Sequence, residues 1–416
     1  MTSGQVPDLG RVLRAGDHVF VGEGAAEPFA LTEALVEQRH ALGGVTVLLG
    51  YTTRETIRPE HADSLRVTML GGYGANGALA RARPDEVLPC QLSTLPALIA
   101  RGTVPVDAVL VQCSPPDRHG RHSLGVTVAG LPAALARARV VAAEVNDQMP
   151  YTLGHTMLPA ERIDLAVHTS RPLPTRDPGE PNDVERAVAQ RVAELVPDGA
   201  VLQYGIGRVP DAVLAALRGH RDLGVHSGLV TDGVLDLVEC GAVTNARKPV
   251  DAGVTVGGLL YGSGRLYDWA DRNDALAVRP LDDTHGAESL RRFADFVSVN
   301  SAVEVDLTGQ VNAETVGGSY AGAVGGHVDY VRAGAAAERG LAVVALPATT
   351  RTRSRIVARL DAGVVTTLRT DVDVVCTEYG VAHLAGCTLG ERARRLTAVA
   401  HPDHREALDR HARGLC

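Results

Sequence analysis

The chain has 416 residues, 45% of them hydrophobic and 22% charged, with a formal net charge of −8. That length exceeds one ordinary core and suits two domains of roughly 200 residues each. The negative balance argues against a nucleic-acid binder, which would show a basic face, yet it leaves room for a local basic pocket toward a phosphorylated ligand. Aromatic residues are scarce at 3%, so Val, Leu and Ala must fill the interior. Lys248 is the only lysine among 41 basic residues, and the arginines are scattered rather than patched.

At the N-terminus, "MTSGQVPDLGRVLRAGDHVF" lacks the charged-then-apolar pattern of a secretory signal. No stretch reaches the eighteen or more apolar residues expected of a membrane span. The cysteines show no CxxC spacing, so neither a metal site nor a disulfide framework is expected, and a reduced, cytoplasmic protein is the economical reading. In chain order, "AGDHVFVGEG" (15–24) predicts a turn and an apolar strand ending in Gly-x-Gly, and "AEPFALTEALVEQ" (26–38) a helix. The runs "VDAVLVQCS" (106–114) and "LPAALARARVVAAEV" (131–145) continue the alternation of strand and helix, which predicts α/β domains with largely buried sheets.

The four prolines and mixed charge of "TSRPLPTRDPGEPNDVE" (169–185) mark the best linker candidate. The division expected from it is a first α/β domain over 1–175, a linker over 176–185 and a second α/β domain over 186–416. The second half repeats the opening shape: "DGAVLQYGIG" (198–207) again runs turn, strand, Gly-x-Gly, and the helical "RVPDAVLAALRG" (208–219) follows. Such glycines let backbone approach a neighbour or ligand closely, with helix N-terminal amides just behind. Neither loop completes a dinucleotide fingerprint, because Glu27 and Pro210 stand where the third glycine belongs.

Six stretches then become specific: "QCSPPDRHGRHSLGVTV" (112–128), "AEVNDQMPYTLGHT" (143–156), "YGIGRVPDAVLAAL" (204–217), "VNSAVEVDLTGQVNAE" (299–314), "TEYGVAHLAGCTLGERA" (377–393) and "VAHPDHR" (399–405). In order and over almost the whole chain, they resemble the acetyl-CoA hydrolase/transferase family, which includes 4-hydroxybutyrate and acetate CoA-transferases. The resemblance implies two similar open-sheet α/β domains with the acyl-CoA site in the cleft between them. It implies a coenzyme A thioester as substrate, no bound cofactor or metal, a small-molecule acceptor, and a homodimer or larger homo-oligomer. It also implies a ping-pong route in which a glutamate attacks the donor thioester and becomes a glutamyl-CoA thioester.

The family glutamate sits in a segment of the form "DLGIHSE…DG". Here that segment reads "DLGVHSGLVTDG" (222–233), and the glutamate position falls on Gly228 with no gap in either flank. Two further departures accompany it. His285, in "RPLDDTHGAESL", stands where the family usually carries an asparagine, and His327 replaces the glutamine of a "GxGGQxDF" loop that here reads "GAVGGHVDY" (322–330). The expected retooled site therefore comprises Gly228 as a vacant nucleophile position and His285 or His327 as a base titrating near neutrality. Gly325 and Gly326 are the expected oxyanion donors, with Gly205 and Gly207 beside the CoA, and Glu378 is a further active-site carboxylate.

This reading predicts direct transfer of the acyl group to an amine, alcohol, carbon nucleophile or water. The competing readings are a conventional transferase or hydrolase using another carboxylate, and an acyl-CoA-binding protein without catalysis. Asp232 and Glu239 are the carboxylates nearest the vacancy and are expected to keep structural work. Ser227 is a weak nucleophile without an activating base. His119, His122, Cys113 and Cys240 are expected to be structural.

Overall fold

The computed structural model describes residues 6–71, 74, 77–83, 86–351, 353–360 and 364–413. In the first half, β1 (His18–Val21), β2 (Thr46–Leu49), β3 (Arg66–Met69), β4 (Ala108–Cys113), β5 (Val140–Asn146) and β6 (Leu165–Thr169) form one sheet. Its order is β3-β2-β1-β4-β5-β6, with every neighbouring pair parallel. All six residues of β4 and all seven of β5 are buried, so these strands are covered on both faces, as a helix-flanked parallel sheet requires. Exposure rises at the two edge strands, β3 and β6.

A second sheet follows from β7 (Val201–Tyr204), β8 (Gly224–Val225), β9 (Phe296–Asn300), β10 (Leu341–Ala345), β11 (Val374–Thr377) and β12 (Gly380–His383). Its order is β8-β7-β9-β10-β11-β12, parallel except for the antiparallel β12. Laid over each other, β2-β1-β4-β5-β6 and β8-β7-β9-β10-β11 have one topology, and the repeated turn–strand–Gly-x-Gly shape opens both. Helix α1 (Phe29–Glu37) follows β1; after α2 (Asp183–Ala193), helix α3 (Arg208–Ala216) follows β7 in the same way.

Helix α2 starts inside the stretch expected as linker. Asn182 accepts from the Glu185 N–H and Glu185 accepts from the Asn182 N–H, a reciprocal cap that fixes the first turn. Just before it, Arg176 is bolted to Asp211 of α3 at 2.5 and 3.1 Å. The two halves meet where residues 254–281 of the second lie on the first. Main-chain bonds run from Leu260 to Val126, from Val128 to Gly258 and from Val278 to Leu153. The largest apolar core is continuous across both halves.

In each sheet the strand order reverses beside the opening strand, between β1 and β4 and between β7 and β9. In open α/β sheets, the crevice beyond the carboxyl ends of the strands at such a reversal is where ligands bind. Gly22–Gly24, Gly205–Gly207 and Gly228 all follow carboxyl ends of strands beside these points. Among the described residues no helix is long and apolar enough to cross a membrane.

Candidate active site

Gly228 lies three residues beyond β8, half-buried. Its φ falls outside the left-handed region, so the backbone itself would accept any residue. What excludes a side chain is space. A Cβ built there would lie 2.7 Å from His285 Cε1, 2.9 Å from His285 Nε2 and 3.0 Å from Tyr330 Oη. Gly326 is closed by the same ring, its Cβ falling 2.5 Å from His285 Cδ2 and 2.6 Å from Nε2. The imidazole is thus sandwiched between Gly228 and Gly326 and occupies the room in which a side chain at 228 would begin.

Several elements hold that ring. His285 ends the short helix Leu281–Thr284, and its Nδ1 lies 2.9 Å from Thr284 Oγ1. Tyr330, on helix α4 (His327–Ala336), packs against it at 4.7 Å between ring centroids. The tyrosine hydroxyl donates to the Thr284 carbonyl at 3.0 Å, and the Gly228 N–H is directed at the same hydroxyl. Beneath lie Phe293 and Phe296, two of only four phenylalanines in the chain, with His226 against Phe293 at 4.8 Å. His226 Nε2 bonds to the Asp283 carbonyl at 2.8 Å, tying the Gly228 segment to the His285 segment. Gly228 itself accepts from the N–H groups of Gly258 (3.2 Å) and Leu259 (3.0 Å).

Burial sets the electrostatics. It pushes His285 down to about 3, with His226 nearby adding to the effect, and pushes His327 down to about 4. The expectation that these two imidazoles titrate near neutrality is therefore corrected: taking either out of water disfavours the charged form, so both are free bases at pH 7. The two also part company in space. The His327 ring turns to Thr367, Nδ1 to Oγ1 at 2.8 Å, and its Nε2 is buried without a partner, whereas the His285 ring lies against Gly228 and Gly326.

Gly325 has φ +56°, the conformation that favours glycine, and it leads the loop into α4. Its carbonyl accepts from the Leu92 N–H at 3.1 Å, and Ser93 bonds Asp329 twice, through N–H at 3.2 Å and Oγ at 2.6 Å. A turn of the first half thereby grips the glycine loop of the second. Gly205 follows β7 beside Asn300, and Gly207, at φ +137°, caps helix α3. Ser227 Oγ reaches the Tyr204 carbonyl at 3.4 Å, so the Gly205 turn neighbours the Gly228 segment.

Glu378 is held by other atoms, its Oε2 accepting from the Ala348 N–H at 2.8 Å and its carbonyl from Arg191 at 3.0 Å. Asp232 is spent on Ser263, through both N–H and Oγ. No three His, Cys, Asp or Glu side chains gather as a metal site would need, among the described residues.

Sequence reasoning passed over Tyr330 and Thr284. The signal for the first was in view: the loop pattern ends in phenylalanine and this chain ends it in tyrosine, adding the one hydroxyl that spans Gly228 and Thr284. Thr284 carried no signal, because a threonine beside a histidine is ordinary until its partners are seen.

Comparisons with known proteins bear on both halves. The acetyl-CoA hydrolase/transferase N-terminal domain matches residues 77–173, and the C-terminal domain of that family matches residues 262–412. The chain is 38% identical over 399 residues to the 4-hydroxybutyrate coenzyme A transferase of Clostridium kluyveri, covering 94% of this chain and 92% of that one. It is 36% identical to the succinyl-CoA:acetate/propanoyl-CoA:succinate CoA transferase of Fasciola hepatica, over 96% of this chain and 85% of the other. Among solved structures, RipA of Yersinia pestis superposes with a TM-score of 0.91 at 31% identity, over 97% of this chain and 95% of that one. The 4-hydroxybutyrate CoA-transferase of Porphyromonas gingivalis superposes at 0.84 with 33% identity, over 98% and 96%. Fold, paired domain matches and near full-length relatives agree: the chain belongs to the acetyl-CoA hydrolase/transferase family and is an acyl-CoA-utilising transferase or hydrolase.

Proposed function

We propose that the enzyme passes the acyl group of an acyl-CoA directly to a non-carboxylate acceptor (an amine, an alcohol, a carbon nucleophile or water) with no enzyme-bound ester at residue 228. The observation that carries this reading is the filled space at that position: Gly228 has no side chain to attack with, and His285 and Tyr330 stand where one would start. Support for an acyl-CoA as donor comes from relatives named as CoA transferases.

For an acceptor X–H, the bond from X to the carbonyl carbon forms as the carbon–sulfur bond breaks. The acceptor's proton passes to His285 Nε2 and from there to the departing thiolate, so CoA leaves as the free thiol. An imidazole held near 3 is a poor base in the empty site. Its protonation becomes favourable as the thioester oxygen gains negative charge beside it, which couples proton capture to oxyanion formation. The N–H groups of Gly325 and Gly326 are assigned to that oxyanion, where one donor is typically worth about 2.7–4 kcal/mol. Gly205 and Gly207 leave room for the thioester arm of CoA.

The test is trapping. After incubation with acetyl-CoA or butyryl-CoA, hydroxylamine or borohydride treatment followed by peptide mass spectrometry is expected to find no modified glutamate. Acyl transfer to an amine and alcohol panel, or to water, should fall about 10²–10⁴-fold in His285→Gln. A glutamyl-CoA adduct at any position, or acetate-dependent CoA exchange lost in Glu378→Gln, would overturn the reading.

A further inference from the structure

We infer that Thr284 is a positioning residue that fixes the tautomer of His285, and that this restricts the acceptor to an uncharged nucleophile bringing its own proton: a neutral amine, an alcohol or water. The inference rests on direct transfer as proposed above and narrows its substrate class. Thr284 Oγ1 has one proton and two neighbours, the Pro280 carbonyl at 3.1 Å and His285 Nδ1 at 2.9 Å. If the hydroxyl donates to Nδ1, the ring proton sits on Nε2, which has no hydrogen-bond partner among the described residues. The Pro280 carbonyl would then face the threonine oxygen at 3.1 Å with no proton between them, lone pair against lone pair. If the hydroxyl donates to Pro280, the ordinary bond of a helical threonine to the carbonyl four residues back, it accepts from Nδ1–H and every donor is satisfied. Donor accounting therefore places the ring proton on Nδ1 and a bare lone pair on Nε2.

Tyr330 does not alter this balance, because its own proton goes to the Thr284 carbonyl. The ring nitrogen that lies against Gly228 and Gly326 is then a hydrogen-bond acceptor alone. A carboxylate approaching it meets lone pair against lone pair. A hydroxyl, a neutral amine or water meets an acceptor for the proton it must lose on attack. Thr284 contributes no atom to the reaction; it decides which ring nitrogen is free.

Long-range proton–nitrogen NMR on protein labelled with [15N]histidine reads the tautomer directly, the His285 signals being those lost in His285→Gln. In the whole protein at pH 7, His285 is expected to carry its proton on Nδ1. Thr284→Ser should keep that state and wild-type turnover. Thr284→Val should shift the ring toward the Nε2–H form and slow transfer to uncharged acceptors about tenfold or more, with acyl-CoA binding by calorimetry within about twofold of wild type. An Nε2–H signal at His285 in the wild-type protein would overturn the inference while leaving direct transfer standing. So would full activity in Thr284→Val, or loss of the Nδ1–H state in Thr284→Ser. A glutamyl-CoA adduct would do the reverse, removing direct transfer while the tautomer measurement stands.

Discussion

At Gly228 the conformational argument for glycine does not apply, since the backbone there is not left-handed; the demand is purely for room. Gly228→Ala is therefore expected to cost about 1–3 kcal/mol, the usual penalty for overfilling a packed site. Replacing His285 with the smaller asparagine in the same chain should recover most of that loss. In a double-mutant cycle read by urea unfolding, the pair should couple by about 1 kcal/mol or more. For the same reason Gly228→Glu alone should yield no acetate-dependent CoA exchange. Gly228→Glu with His285→Asn is the combination that makes space for a carboxylate. A Gly228→Ala protein as stable as wild type would show that the imidazole moves aside freely.

The glycine loop and helix α4 owe their position to a contact made across the halves. Ser93 satisfies both oxygens of Asp329, which burial raises to about 6. Removing the Ser93 hydroxyl leaves a buried carboxyl short of a donor, a loss of about 1–3 kcal/mol. Because the grip holds Gly325 and Gly326 rather than the substrate, Ser93→Ala should lower kcat severalfold and leave KM little changed. Steady-state kinetics with the favoured acceptor decide this: a rise in KM at constant kcat would assign Ser93 to substrate binding instead. Helix α2, by contrast, carries its own stop and start, and its cap at Asn182 needs nothing from the other half.

Over the whole molecule, three buried imidazoles make the fold sensitive to acid. Burial lowers His226 and His327 to about 4 and His285 to about 3, against an unfolded value near 6.5. Between those limits the unfolded chain binds the extra protons, so stability falls as pH falls through that window. Glu27, raised to about 8, and Asp329, raised to about 6, act oppositely, because the folded state holds their protons. Each imidazole by itself contributes a loss of about one proton, about 1.4 kcal/mol per pH unit, between pH 4.5 and 6. Urea unfolding at pH 4.5 and 6 reads the His327 share directly, since His327→Gln should change the slope by about one proton. An unchanged slope in that variant would mean His327 is solvated in the folded state.

Local pattern was enough for much of the architecture. A run such as 108–113, apolar but for Gln112, reads as a strand buried on two faces, and two Gly-x-Gly turns ahead of helices announced the repeat that the matching sheet orders display. The absence of a carboxylate at 228 was equally plain, because it is a fact about one position in a ungapped segment. The linker boundary was not legible to the residue, since a reciprocal cap at Asn182 starts a helix within a proline-rich stretch. What only the tertiary structure decided is how residues remote in the chain share one volume. Folding brings His285 against Gly228, sends the His327 ring to Thr367, and sets Tyr330 and Thr284 around the imidazole. Side-chain identity is written position by position, but burial, protonation and the direction a ring faces belong to the packed whole.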